Sequence, residues 1–226
     1  MQAPSNIIEL RRYLAGRLPG ARTGFAPPRE RAVQPTGIAR LDALLDGGLP
    51  RGELTELVAA GPGSGSAQVL HALLRHLAAG GRFLALVDGA DSFDVEAVEP
   101  GVLARLLWVR TTRAGEAVQA VDLLLRDRNF PVVALDLKLN PPAQLRRIAS
   151  SVWHRLARVA EHQGTTLLVV TPTALVGGVA VRVAVRGGLD FRALEAPPEL
   201  LPDRLEFALL RQALPGAGDA PAAATA

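Results

Sequence analysis

The stretch ELVAAGPGSGSAQVLHALL, Glu56 to Leu74, decides the fold. It begins as an apolar strand, passes through Gly61-Pro62-Gly63-Ser64-Gly65, and resumes as an apolar helix. Strand, tight loop, helix is the layout in which backbone N–H groups wrap a phosphate at a helix N-terminus. The working motif is G-x-x-x-x-G-K-[ST]. With Gly65 as its last glycine, Ala60 stands at the first glycine, Ser66 at the lysine and Ala67 at the hydroxyl. Gly61, Gly63, Ser64 and Gly65 keep the shape, while Ser66 and Ala67 lack the ammonium and the magnesium-holding hydroxyl. A charge-assisted hydrogen bond is worth roughly 1.5–3 kcal/mol, and loss of one transition-state donor costs about 10²–10³ in rate. Losing both groups predicts a vestigial cradle. No cofactor, no metal, no catalytic residue and no enzymatic activity are expected. The chain has one lysine, Lys138, and nothing in its spacing aims it at the loop.

Outward from the loop the chain alternates strands and helices. LTELVAA (54–60), RFLALVD (82–88), LLWVR (106–110), VVALD (132–136) and TTLLVVT (165–171) are short, apolar and β-branched. Such runs suit strands covered on both faces in a parallel sheet. AQLRRIASSVWHRLARVAEHQG reads as one amphipathic helix. Its apolar stripe is Leu145, Ile148, Ala149, Val152, Leu156, Val159 and Ala160, with Arg146, Arg147, Arg155 and Arg158 opposite. VAVRVAVRGG and RLEFALLR alternate strictly and predict antiparallel strands at the sheet edge. The class is α/β, with a mostly parallel central sheet flanked by helices. Asp136 ends an apolar strand where a Walker-B carboxylate would poise magnesium; the other reading is a polar residue stepping out of a buried strand. Asp88 carries the same two readings.

Four segments are expected: a helix over 1–18, a Pro/Arg-rich linker over 19–35, a core over 36–214 and a disordered tail over 215–226. Asn6 and Glu9 resemble a capping box, and Pro19-Gly20 stops the helix. Ile7, Leu10, Leu14 and Leu18 share one stripe, which either folds back on the core or docks on another chain. With no cysteine, disulfides and thiolate metal sites are excluded. His71, His76, His154 and His162 lack metal-ligand spacing and read as surface or helix-flank residues. Net charge is +3, carried almost wholly by arginine. MQAPSNIIELRRYL has charges where a signal peptide needs an apolar core. A cytoplasmic chain without a membrane segment is expected.

PTGIARLDALLDGGLPRGELTEL, Pro35 to Leu57, resembles the opening of the core of RecA-type recombinases. Thr36-Gly37, Leu41-Asp42, Gly47-Gly48-Leu49-Pro50 and Gly52 carry the resemblance. LVDGADSFD (86–94) resembles the segment that holds their catalytic glutamate, with Ala90 in that register and Asp91 beside it. TRAGEAVQAVDLLLRDRNFPVVALD resembles the helix and strand that deliver their Walker-B aspartate. The segments LKLNPP and TPTALVGG are short where RecA-type proteins place DNA-binding loops. A RecA-like core with these departures resembles the ImuA family, related to the SulA division inhibitors. The resemblance implies a non-catalytic adaptor in SOS-induced translesion synthesis. Its implied partners are RecA and an ImuB-type polymerase-like protein, with self-association and with DNA binding weak or indirect. Ile7, Leu10 and Leu14 are then the candidate partner-binding residues, by analogy with the docking helix of RecA-type subunits. The alternatives are a SulA-like inhibitor of a tubulin-like GTPase, a weak ATPase with an unorthodox loop, and direct DNA binding through the arginine helix.

Overall fold

Alternating apolar residues along the central strands send side chains to both faces of a sheet, and helices cover each face. The computed structural model describes residues 32–61, 63–187 and 198–212. The helix expected over 1–18, with Ile7, Leu10 and Leu14, and the tail expected over 215–226 lie outside the described residues.

In chain order the elements are β1 (Val33–Gln34), α1 (Ala39–Leu44), β2 (Leu49–Pro50), β3 (Leu54–Ala59), α2 (Ser66–Ala79), β4 (Leu84–Asp88), α3 (Pro100–Leu103) and β5 (Leu106–Arg110). They continue with α4 (Ala114–Asp127), β6 (Val132–Asp136), α5 (Pro142–Leu145), α6 (Ser150–Gln163), β7 (Thr166–Thr171) and β8 (Val181–Gly187). A 3-10 turn (Pro198–Arg204) and β9 (Leu205–Gln212) close the described chain. Seven strands form one sheet in the order β5-β4-β6-β7-β3-β8-β9. Every neighbouring pair is parallel except β8 and β9. The antiparallel edge is thus one strand wide, because β8 runs parallel to β3 on its inner side.

Each face has its own core. Leu57, Leu84, Leu86, Val132, Ala134, Leu168 and Val170 point to α1 and α2, where Leu41, Leu70, Leu73 and Leu77 meet them. Leu54, Ala85, Val87, Val133, Leu135, Leu167 and Val169 point the other way, onto Val121 and Leu125 of α4 and Trp153 and Leu156 of α6. The four valines of VAVRVAVR, Val179 to Val185 at every second residue, are all at most 2% exposed, as strict alternation predicts.

Three expectations change. LLWVR is β5, an edge strand that is only half buried, not one covered on both faces. The helix expected over 143–164 is two pieces, because Ala149 turns extended (φ −66°, ψ 145°) and α6 restarts at the Ser150-Ser151 pair. Serines compete for backbone hydrogen bonds and so favour helix starts over interiors. After the restart Trp153, absent from the expected stripe, is 1% exposed and is the bulkiest buried side chain of α6.

The first block of the RecA resemblance fastens α1 to the core. Asp42 Oδ1 accepts hydrogen bonds from Thr36 N and Thr36 Oγ1, both at 2.8 Å, and Asp42 Oδ2 accepts one from Gly37 N at 3.3 Å. No helix among the described residues is long and apolar enough to cross a membrane.

A candidate phosphate site at the Gly-rich loop

β3 delivers the loop and α2 leaves it. Gly61 and Gly63 are exposed, with left-handed φ of 79° and 67° and open space on the side where a Cβ would stand. Ser64, Gly65 and Ser66 are buried, and Ala67 is half-buried. Gly65 caps α2 at φ 90°, with no side-chain hydrogen bond at the cap. Its Cα presses on Leu205 of β9 so closely that a methyl there would overlap Leu205 Cδ2. Gly187, the last residue of β8, meets the carbonyl of Gly63 backbone to backbone and likewise leaves no room for a side chain. The C-terminal strands therefore brace the loop from behind. The Ser64 hydroxyl is buried without a hydrogen-bond partner among the described residues.

Lys138 corrects the sequence reading. It lies two residues beyond β6, and its Nζ donates to Ser66 Oγ at 3.1 Å. Ser66 occupies the lysine position of the motif, so the cation missing from the loop is present beside it, reaching in from another element. Spacing could not show this, because 72 residues separate the two and only the sheet order brings the ends of β6 and β3 to one edge. Asp136 Oδ1 accepts the Lys138 backbone N–H at 2.9 Å and so fixes the turn that carries the ammonium. Burial pushes the Asp136 carboxyl above the usual range; the N–H and the charge of Lys138 oppose this, and the neighbouring Asp88 reinforces it. Lys138 forms no ion pair with a carboxylate of the described residues.

The other carboxylates are spoken for. Asp88, in register with Asp136, accepts hydrogen bonds from Ser92 N at 2.7 Å and Phe93 N at 2.8 Å, and from Trp108 Nε1 at 3.4 Å. It organises the 89–93 turn. In the recombinase-glutamate region Ala90 has no acid, and Asp91 is exposed beside Arg110 at 3.6 Å. Asn140 Nδ2 donates to Gly89 O at 2.7 Å and ties the ends of β4 and β6 together. Among the described residues no group of three His, Asp or Glu side chains gathers as a metal site.

A buried pair beneath the loop was not foreseen. Glu56, 0% exposed on β3, accepts from Arg182 Nε at 2.5 Å, Thr171 Oγ1 at 2.9 Å, Leu175 N at 2.7 Å and Val176 N at 3.0 Å. A charged residue inside the fully buried run LTELVA was the available signal. His71 is a second correction: it is 7% exposed, and its ring meets Phe93 edge-on at 5.0 Å. The arginine face of α5–α6 borders a separate cleft of about 660 Å³, with Arg113, Arg147 and Arg155 around Val118, Ile148 and Val152. Arg155 is engaged there by Asp122 at 3.5 Å.

Sheet order, loop and the entering block together define a RecA-like α/β core. The chain is 28% identical to Protein RecA of Salinispora tropica over 204 aligned residues, covering 77% of this chain and 58% of that protein. It is also 28% identical to Protein RecA of Kineococcus radiotolerans, covering 75% and 56%, and of Mycobacterium ulcerans, covering 73% and 56%. The chain thus spans just over half the length of these curated relatives. No family model matches it. The relatives overturn the expectation that the chain is not an enzyme, because RecA proteins are an ATPase family.

Proposed function

We propose that the chain works in SOS-induced translesion DNA synthesis as a RecA-like partner of RecA and of an ImuB-type polymerase-like protein. The observation that carries this reading is the fastening of the two segments where RecA-type proteins place DNA-binding loops. After β6, Leu137 N donates to Val170 O at 2.9 Å and Asn140 grips Gly89. After β7, Glu56 holds the amides of Leu175 and Val176. Segments this short and this tied suit a surface that meets folded protein better than one that wraps a DNA strand. The distant similarity to RecA supports the same reading, since RecA-type subunits dock on their own kind. Ile7, Leu10 and Leu14 are the residues assigned to that docking.

Purified full chain is titrated onto immobilised RecA and, separately, an ImuB-type protein, with and without residues 1–30. Saturable binding to both supports the reading. Failure of the full chain to bind either one defeats it. Binding that survives removal of residues 1–30 unchanged, with self-association also unchanged, removes the role given to Ile7, Leu10 and Leu14.

A further inference from the structure

We infer that Lys138 is a displaced phosphate-binding lysine, and that the site formed by Gly61, Gly63, Ser64, Gly65, Ser66 and Lys138 takes the phosphate groups of a nucleotide. Lys138 is the chain's one lysine, and its ammonium stands 3.1 Å from the hydroxyl of the first residue of α2. A helix N-terminus already carries positive partial charge from its unpaired N–H groups. A cation brought against it, with no carboxylate paired to it among the described residues, puts two like signs together. Asp136 attracts Lys138 without pairing with it, so among the described residues no anion is in contact with the ammonium. The buried, unpartnered Ser64 hydroxyl inside the same loop is a second group without its complement. Gly61 and Gly63 leave their side open, so the loop backbone is approachable where a phosphate would lie.

The geometry also explains two apparent losses as one exchange. A serine in place of the loop lysine vacates the volume that Lys138 fills, and Asp136 holds the Lys138 backbone so that the side chain reaches across. Charge at the site is conserved while its origin moves from α2 to the β6 turn. The magnesium hydroxyl is not replaced at Ala67, so Ser66 Oγ is the one hydroxyl placed at the start of α2.

The proposal does not depend on RecA binding: a chain that binds RecA and no nucleotide, or the reverse, separates the two readings. Reductive methylation with 13C-formaldehyde retains charge and marks only Lys138 and the α-amino group, because no other lysine exists. The methylated full chain is titrated with ATP, ADP, pyrophosphate and inorganic phosphate, with and without magnesium. The expected result is a saturable shift of the Lys138 methyl signal with ATP, ADP or pyrophosphate. Inorganic phosphate acting as strongly as ATP would assign a bare anion site instead and overturn the nucleotide. No shift with any of the four at millimolar concentration overturns the proposal entirely. In equilibrium binding of labelled ATP, Lys138→Ala is expected to weaken affinity roughly ten- to hundredfold, the worth of one charge-assisted contact. Adding Ser66→Lys to Lys138→Ala should restore it by returning the cation to the loop. Wild-type affinity in the Lys138→Ala chain, or a folded double variant that stays weak, overturns the exchange.

Discussion

Glu56 of β3 and Arg182 of β8 form an ion pair of 2.5 Å with the carboxylate fully buried. Arg182 also donates to Val176 O at 2.6 Å, so the pair joins two adjacent strands to the segment after β7. Every oxygen of the carboxylate has a donor, which is the condition under which a buried charge is tolerated. Removing one partner strands the other. Arg182→Met is expected to cost about 3–5 kcal/mol in urea unfolding. Hydrogen exchange at the Leu175 and Val176 amides should accelerate with it, because both donate to Glu56. A variant within experimental error of wild type in both measurements would show that the pair does not hold the segment.

Gln144 makes a smaller, more local prediction. Its Oε1 accepts from Ala114 N at 2.9 Å, serving a free N–H at the start of α4 that Arg113, the residue at the cap, leaves without a side-chain acceptor. Gln144→Ala should lower stability by about 1 kcal/mol, the usual worth of an N-cap. Gln144→Glu should retain the cap, since a carboxylate accepts the same bond and favours a helix N-terminus. Thermal unfolding of the two variants distinguishes a cap from a passive surface residue, which would leave both unchanged.

What could be read from the chain alone follows the range of the forces involved. The strands from 54 to 171 were legible because alternation and β-branching act within a few residues. The bounds of LLWVR and VVALD match β5 and β6 residue for residue. The break at Ala149 was not legible: the arginine stripe continues through it, and the turn is set by α5 packing on α4 through Leu145 and Gln144. For the site, the loop and Asp136 were legible as motif positions. Lys138 was not, because its partner is 72 residues away and only the crossover order of the sheet joins them. Charge counted along a motif therefore misjudged charge present in space.

His71 supplies a pH dependence. Burial lowers its imidazole below 6.5, Arg75 lowers it further, and Asp94 and Glu99 oppose the shift. The ring lies against Phe93, which in turn meets Trp108 at 5.9 Å. The unfolded chain binds this proton at a higher pH than the folded one, so stability rises with pH through the window. The contribution is complete above 6.5 and is lost as pH falls from 6.5 toward the folded value. His71→Phe should flatten the urea midpoint between pH 7 and that lower limit relative to wild type. An identical slope in the two proteins would assign the dependence to other groups.

Asp136 has the opposite sign. Its carboxyl is raised above 3.8 by burial, an effect that the attraction of Lys138 does not cancel. The folded state therefore holds the proton more tightly than the unfolded one. That contribution is fully present below 3.8 and is lost as pH rises through the folded value. At neutral pH, above the unfolded value, burying this carboxyl is a cost. Asparagine keeps the oxygen that receives the Lys138 amide at 2.9 Å and removes the charge. Asp136→Asn should thus raise the urea midpoint at pH 7, with the difference closing as pH approaches 3.8. A lower midpoint at pH 7 would show that attraction to Lys138 outweighs burial. The same carboxyl that costs stability on burial thus fixes, through its bond to the Lys138 N–H, the turn from which Lys138 reaches Ser66.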